Sequence, residues 1–161
     1  MGKTWIELVG VVDGGQSDPR AQMFSQAVSA GDRLLGWALV AEDLSAVAAR
    51  LQLPVSKQHA THVITGERFT WRQVGFDETR MHYYLPFFIG WDHDVHADMD
   101  RATEEVGNAR VGQADVSLEL TGDPARLEQR LGDVAAPISI SEGPPSITAH
   151  IPTDRGQLTV R

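Results

Sequence analysis

Apolar and polar residues follow the same order twice along the chain: a short apolar strand, an acidic stop and an amphipathic helix. The first copy spans residues 37–51 and the second spans residues 116–131. Each copy is followed by strand-like segments without a second strong helix. Because an internal repeat reveals architecture that single elements conceal, we predict two strand-helix-strand-strand-strand (βαβββ) modules. Such modules usually fold around a small-molecule pocket.

Both predicted helices start and stop at residues that favour helix ends. Asp43 precedes apolar positions with helical spacing in the first copy, and Asp123 with Pro124 does so in the second. An aspartate accepts hydrogen bonds from the free amides of the first turn, and proline has the backbone angle of the first helical position. Pro54 and Gly132 end the two helices.

The strands are predicted from short runs of β-branched, aromatic and apolar residues between turn residues. In the first module they cover residues 35–41, 55–57, 61–65, 67–74 and 85–91, with a hairpin around Gly66. In the second module they cover residues 114–120, 137–141, 146–151 and 156–160.

The predicted modules divide the chain into four parts. Residues 1–34 form a leading strand and helix, which is a remnant of another module or a contribution to one. Residues 35–95 form the first module and residues 114–161 the second. Residues 96–113 form an acidic linker, with a helical stretch predicted at 98–106.

Composition limits the classes of binding partner and the cellular compartment that we expect for the protein. A length of 161 residues suits one domain, or two small modules that share a core. The net charge of −8, without a run of Lys or Arg, argues against nucleic-acid binding. The absence of Cys excludes disulfides, thiolate metal sites and a Cys nucleophile. Without a signal peptide or a long apolar run, we expect a cytoplasmic protein that does not bind membranes.

Four short motifs resemble the glyoxalase-like branch of the vicinal oxygen chelate superfamily. They are Trp37-Ala-Leu with the later Asp-Leu-x-Ala, Phe69-Thr-Trp-Arg, Leu85-Pro-Phe-Phe-Ile-Gly-Trp with a following His96, and Thr121-Gly-Asp-Pro-Ala-Arg-Leu. The resemblance implies an α+β fold in which paired βαβββ modules, with mainly antiparallel curved sheets, enclose a pocket. In the wider superfamily that pocket often holds a divalent metal, which chelates vicinal substrate oxygens.

The metal ligands that the resemblance implies are Glu7 and His96. In relatives, the segment like residues 6–9 closes a preceding module, whose first strand would precede residue 1, and its glutamate can bind the metal. Carboxylate and imidazole together suit Zn, Fe, Mn or Ni. However, neither module begins with the expected His, so the alternative is an exposed acidic linker with solvated histidines.

The predicted ligand-binding residues are Trp71, Arg72, Phe87 and Trp91. Successive strand residues point to opposite faces, so Phe87 and Trp91 share one face, and Trp71 and Arg72 are separated. Aromatic side chains with a few polar groups are typical of small-molecule pockets, although an ordinary core is the alternative. Arg72 is suited to bind a substrate carboxylate in a bidentate pair or, alternatively, to form a surface salt bridge.

Three functions agree with these patterns. The favoured one is a glyoxalase-like protein that binds a small molecule, without a catalytic activity being assigned to it. It is favoured because few of the expected metal-ligand positions hold a metal-binding residue. The first alternative is a divalent-metal-dependent lyase, isomerase or dioxygenase of the same superfamily. The second is a non-enzymatic interaction module that pairs through an edge strand. The lone leading strand also predicts a homodimer, in which it completes the partner's sheet.

Overall fold

The protein's structure, a computed structural model, describes most of both modules and four residues of the leading segment. The described residues are 34–61, 66, 68–91, 116–134, 137–153 and 155–161, together with Gln22, Ser25 and Gln26, which are helical. The predicted leading strand and the predicted linker helix at 98–106 lie outside these residues.

The first module forms a four-stranded sheet, called sheet one, with two helices. Its elements are β1 (Ala38–Val40), α1 (Leu44–Leu51), β2 (Val55–Thr61), β3 (Arg68–Val74), α2 (Phe76–Met81) and β4 (Phe87–Trp91). The strand order is β1-β4-β3-β2, with β1 parallel to β4 and the other pairs antiparallel. The strand predicted at 55–57 extends to Thr61 as β2, and residues 62–65 of the strand predicted at 61–65 lie outside the described residues. The structure adds the short helix α2, which the sequence pattern does not predict.

The second module forms another four-stranded sheet, called sheet two, with one helix. Its elements are β5 (Ser117–Gly122), α3 (Pro124–Leu131), β6 (Ile138–Glu142), β7 (Ser146–Thr153) and β8 (Gly156–Val160). The strand order is β6-β5-β7-β8, with β5 parallel to β6 and the other pairs antiparallel. The predicted α+β class, with paired βαβββ modules and mainly antiparallel pairing, is confirmed.

The two sheets differ in where the last strand of each module lies. In sheet one the last strand, β4, occupies an inner position, whereas in sheet two the last strand, β8, lies at the edge. The residues of β4 are apolar and largely buried, but four of the five residues of β8 are exposed. A strand inside a sheet carries apolar side chains wherever its faces are covered, whereas an edge strand can stay exposed. The compositions of β4 and β8 therefore agree with their positions.

Aspartates cap the two longer helices as predicted. The Asp43 side chain accepts a hydrogen bond from the Ala46 amide at 2.9 Å, and the Asp123 side chain accepts one from the Arg126 amide at 3.2 Å. The first helix ends at Gln52, whose φ of 56° is left-handed, two residues before Pro54. The second ends at Gly132.

Each long helix covers one face of its own sheet. Leu44 of α1 packs with Val74 and Phe88 of sheet one. Leu127 of α3 packs in a cluster with Leu120 and other buried residues, and this cluster also contains residues from the segment before β4 of the first module. The buried members are Tyr84, Leu85, Leu120, Leu127 and Ile147. The two modules therefore share a core.

Arg130 of α3 holds the two modules together by polar contacts. Its side chain is buried, with Nε donating to the Pro86 carbonyl at 2.8 Å and Nη2 donating to the Gly75 carbonyl at 3.0 Å. Its Nη1 forms an ion pair with Glu78. Burial lowers the pKa of Arg130, and the nearby Glu78 carboxylate partly opposes that effect. These contacts stabilise a buried cation that would otherwise be costly.

Two glycines permit this close contact between the modules. Gly75 has a φ of 83°, and a Cβ added there would lie 1.9 Å from Nη2 of Arg130. A Cβ added at Gly122 would lie 2.6 Å from the ring of Tyr84. The side chains of Arg130 and Tyr84 therefore occupy space that only glycine leaves open. Nowhere in the described ranges is a helix both long and apolar enough to cross a membrane.

Candidate functional site

The face of sheet one opposite α1 brings together the aromatic residues that the sequence pattern selects. Because Val74 and Phe88 point toward α1, their neighbours Gln73 and Ile89 point to the other side. Trp71 of β3 and Trp91 of β4 lie directly across from each other in the same register. We call this surface the tryptophan face and define it by Ser56, Gln58, Trp71, Gln73, Phe87, Ile89 and Trp91.

The two indole rings form a tilted pair. Their centroids are 5.7 Å apart and their planes are inclined by 47°. Both residues are half-buried, whereas Gln73 and Ile89 beside them are only 6% and 7% exposed. Aromatic pairs with centroids between 4.5 and 7 Å stabilise each other beyond the area they bury. The pair therefore presents a shaped, partly accessible apolar surface.

Amide and hydroxyl groups lie beside the indole pair. Nε1 of Trp71 donates a hydrogen bond to Oε1 of Gln73 at 3.2 Å. The hydroxyl of Ser56 donates to the Gln73 backbone carbonyl at 3.4 Å, and the Gln58 amide donates to the Ser56 hydroxyl at 3.5 Å. Among the residues that define the tryptophan face, none carries a charge. The surface thus combines apolar rings with neutral hydrogen-bonding groups.

Phe87 lies on the same face but at the other end of β4. Ile89 separates it from Trp91 along the strand, and Ala38 of β1 lies directly beside it. Its ring packs edge-on against Phe76 of α2, with centroids 5.2 Å apart. The structure therefore places Phe87 on the tryptophan face without direct pairing to the two indoles.

Arg72 does not join the tryptophans. It is exposed and lies on the opposite face of β3, across from Lys57 of β2 and Gly90 of β4. This is the separation from Trp71 that strand alternation predicts. A ligand on the tryptophan face would not reach the Arg72 guanidinium without crossing the sheet, so its role in ligand binding stays a prediction.

The predicted metal ligands, Glu7 and His96, lie outside the described residues. In the part of the chain that the structure describes, no group of three or more His, Asp or Glu side chains could hold a metal ion. Three or more such ligands are the usual minimum for a protein metal site. The described residues therefore do not form a metal site, and metal binding by Glu7 and His96 stays a prediction.

A polar cluster on sheet two was not predicted from the sequence. Nδ1 of His150 contacts the Gln157 side-chain amide at 2.7 Å and the Thr159 hydroxyl at 3.3 Å. Its Nε2 lies 3.2 Å from a carboxylate oxygen of Glu119, at ion-pair distance but without hydrogen-bond geometry. We call these four residues the histidine face, since they lie on the side of sheet two opposite α3.

The signal for the histidine face was present in the alternation of two strands. Glu119 lies between Leu118 and Leu120, and His150 lies between Ala149 and Ile151. Each polar residue therefore points away from the apolar stripe of its strand. To predict the contact between Glu119 and His150, one would also have to know that β5 and β7 are neighbours, with Ser117 across from His150.

Comparison with known families yields one match. A family model described as a glyoxalase-like domain matches residues 1–132, which cover the leading segment, the first module and the start of the second through α3. Searches of curated proteins and of solved structures find no match. The paired βαβββ modules agree with that family. The chain therefore belongs to the glyoxalase-like domain family of the vicinal oxygen chelate superfamily.

Proposed function

We propose that this protein binds a neutral small molecule on the tryptophan face of sheet one. The observation that supports this most is the indole pair of Trp71 and Trp91, half-buried, in register and 5.7 Å apart. Pockets for small molecules are usually lined by aromatic and apolar side chains with a few polar groups. The tryptophan face has that composition, and the family membership agrees with a ligand-binding role.

The chemistry of the face suggests the kind of ligand. Two inclined indole rings offer apolar area to a planar or compact hydrocarbon body. The amides of Gln73 and Gln58 each contain a donor and an acceptor for a hydroxyl or carbonyl group. Because the face carries no charge, a charged ligand would lose hydration there without an ionic partner. The proposed ligand is therefore neutral and contains at least one hydroxyl or carbonyl.

Equilibrium dialysis with 2-naphthol, a neutral planar molecule with one hydroxyl, tests this proposal. We expect the wild-type protein to bind the probe and the variants Trp71→Ala and Trp91→Ala to bind it roughly tenfold more weakly, because each loses much of the apolar contact. Trp71→Phe should bind with intermediate affinity, since it keeps a ring. Leu158→Ala, which removes an exposed apolar side chain from sheet two, should bind like the wild type.

Equal affinity in the wild type and in all of the tryptophan variants would overturn the proposal. Loss of binding in Leu158→Ala alone would do so as well, because it would place the probe on sheet two. Circular dichroism of each variant separates lost binding from lost folding, and Trp71→Phe remains a test if Trp71→Ala does not fold. Homodimer formation remains a separate proposal, which sedimentation of the full chain tests.

A further inference from the structure

A cleft with an excess of positive charge opens where the three helices meet. Its volume is about 200 Å³, and it is lined by Leu51, Glu78, Leu85, Arg126, Gln129 and Arg130. It lies beside α1, and α1 covers the face of sheet one opposite the tryptophans. We call it the arginine cleft. It is therefore a separate site from the tryptophan face and does not depend on the function proposed for that face.

The charges around the arginine cleft do not cancel. Glu78 is the one carboxylate among the lining residues, and it already forms an ion pair with Arg130. Arg126 is half-buried, and no carboxylate of the described ranges lies within ion-pair distance of its guanidinium. The lining thus holds two cations and one anion, in a chain whose net charge is −8. A local cationic site of this kind attracts anions.

A third arginine increases the positive field. Nη1 of Arg50 donates to the Gln129 carbonyl at 2.6 Å, and its Nη2 donates to the Arg130 carbonyl at 3.1 Å. Burial is the main cause of the lowered pKa of Arg130, and the positive charges of Arg126 and Arg50 lower that pKa further. The positive charges of Arg50 and Arg126 thus act on Arg130, and an anion bound beside Arg126 would reduce this repulsion.

We propose that the arginine cleft binds a small oxyanion, either a carboxylate or a phosphate, through the guanidinium of Arg126. A guanidinium offers parallel N–H groups that match the oxygens of either anion in a bidentate arrangement. The amide of Gln129 supplies a further donor at the rim. Leu51 and Leu85 complete the lining of the cleft.

Titration calorimetry with inorganic phosphate and with acetate, at constant ionic strength in chloride, tests this site on the full chain. We expect saturable binding of at least one of the two ions, and which ion binds more tightly identifies the source. Arg126→Gln should weaken binding roughly tenfold or more, because it removes a charged hydrogen-bond donor. Arg155→Gln is the matched control, since Arg155 is exposed in the turn between β7 and β8 and should leave binding unchanged.

Gln129→Glu provides a second test that leaves Arg126 intact. The new carboxylate would neutralise Arg126 and repel the ion, so binding should weaken roughly tenfold as well. Absence of binding for both ions in the wild-type protein would overturn the proposal. So would binding that is equal in the wild type, Arg126→Gln and Gln129→Glu, because it would place the ion elsewhere.

Discussion

The faces of the two sheets that lie opposite their eight-residue helices, α1 and α3, differ in chemistry. On sheet one this face carries an indole pair with neutral amides and no charge, whereas on sheet two it carries His150 in contact with Glu119, Gln157 and Thr159. On sheet two, Nδ1 of His150 contacts Gln157 and Thr159, and its Nε2 lies 3.2 Å from a carboxylate oxygen of Glu119. The tryptophan face presents half-buried apolar area instead. This difference agrees with the proposal that the tryptophan face binds a ligand.

The family match covers sheet one completely but sheet two only in part. It extends from residue 1 to residue 132, so the last three strands of sheet two lie beyond it. Those strands also give sheet two its different order, with β6 beside β5 and the last strand at the edge. The part of the chain that matches the family therefore contains the whole tryptophan face and only Glu119 of the histidine face.

The largest expected effect on stability concerns the polar contacts of Arg130 between the two modules. Arg130→Ala would leave Glu78 and two carbonyls without their buried donor, so we expect it to lower the free energy of unfolding by about 3 kcal/mol. Urea unfolding followed by fluorescence measures this loss. Arg155→Ala, an exposed control, should change stability by less than about 0.5 kcal/mol. A loss for Arg130→Ala as small as the control's would show that the modules do not depend on this contact.

The same contact should be insensitive to pH near neutrality. Burial lowers the folded-state pKa of Arg130 below the unfolded value, so folding disfavours the cation. A base of this kind gains stability as the pH rises through its folded-state pKa, and the ordinary pKa of arginine lies far above neutrality. We therefore expect the stability difference between wild type and Arg130→Ala to be constant between about pH 7 and about pH 9. A difference that grows across this range would contradict the assignment.

Gly75→Ala should destabilise the same contact between the modules, by a change in the first module instead of at Arg130. The left-handed φ of 83° and the nearby Arg130 guanidinium both oppose a Cβ at this position. We expect a loss of about 2 kcal/mol or more, since strain and a displaced ion pair add together. Gly66 has a similar φ of 71° but open space around it, so the variant Gly66→Ala measures the cost of backbone strain alone. Equal losses in the two variants would remove the argument that Arg130 fills the space at Gly75.

A smaller effect is expected within the tryptophan face. Gln73→Ala removes the acceptor of the Trp71 indole N–H, and Gln73 is buried. We expect a loss of about 1 to 2 kcal/mol in urea unfolding, together with weaker binding of 2-naphthol. Gln58→Ala, which is half-buried on the same face, should cost less. If Gln73→Ala were neutral for both stability and binding, the polar part of the face would have no function.

The smallest effect is expected on the histidine face. The His150 side chain is one-fifth exposed and that of its neighbour Glu119 is 62% exposed, so solvent screens their contact and makes it weak. We expect His150→Ala to cost about 1 kcal/mol or less and to leave the affinity for 2-naphthol unchanged. A variant that folds normally but no longer binds the probe would reverse the comparison between the two faces.

Chelation separates ligand binding from the metal-dependent alternative. The tryptophan face has no His, Asp or Glu, so dialysis against a chelator should leave binding of 2-naphthol unchanged. Stoichiometric metal in protein purified without an affinity tag, lost in Glu7→Ala and His96→Ala, would instead support a metal site at the predicted ligands.

Local features of the fold were predictable because they depend on neighbours in sequence. Asp43 and Asp123 cap the helices as expected, and strand alternation separates Trp71 from Arg72 along β3 and places Phe87 and Trp91 on one face of β4. These inferences need only the periodicities of helices and strands. The pairing of β3 with β4, which puts Trp71 beside Trp91, was not predicted from the sequence.

Contacts between distant segments were not predictable. Arg130 ends an amphipathic helix, where an arginine is usually solvated, yet it is buried against residues about fifty positions earlier in the chain. Helix α2 has only six residues, too few for a helical period to stand out. The order of strands in sheet two also depends on which segments become neighbours. Such features follow from packing between modules rather than from local pattern.

The most direct test of the central claim locates a bound molecule among the tryptophans. In ¹⁵N-labelled protein, the indole N–H signals of the four tryptophans can be followed separately during titration with 2-naphthol. We predict saturable shifts at Trp71 and Trp91, while Trp37, whose indole donates to the Tyr84 carbonyl at 3.0 Å within the shared core, stays unchanged. Shifts confined to Trp37, or to the amides of the histidine face, would contradict the account.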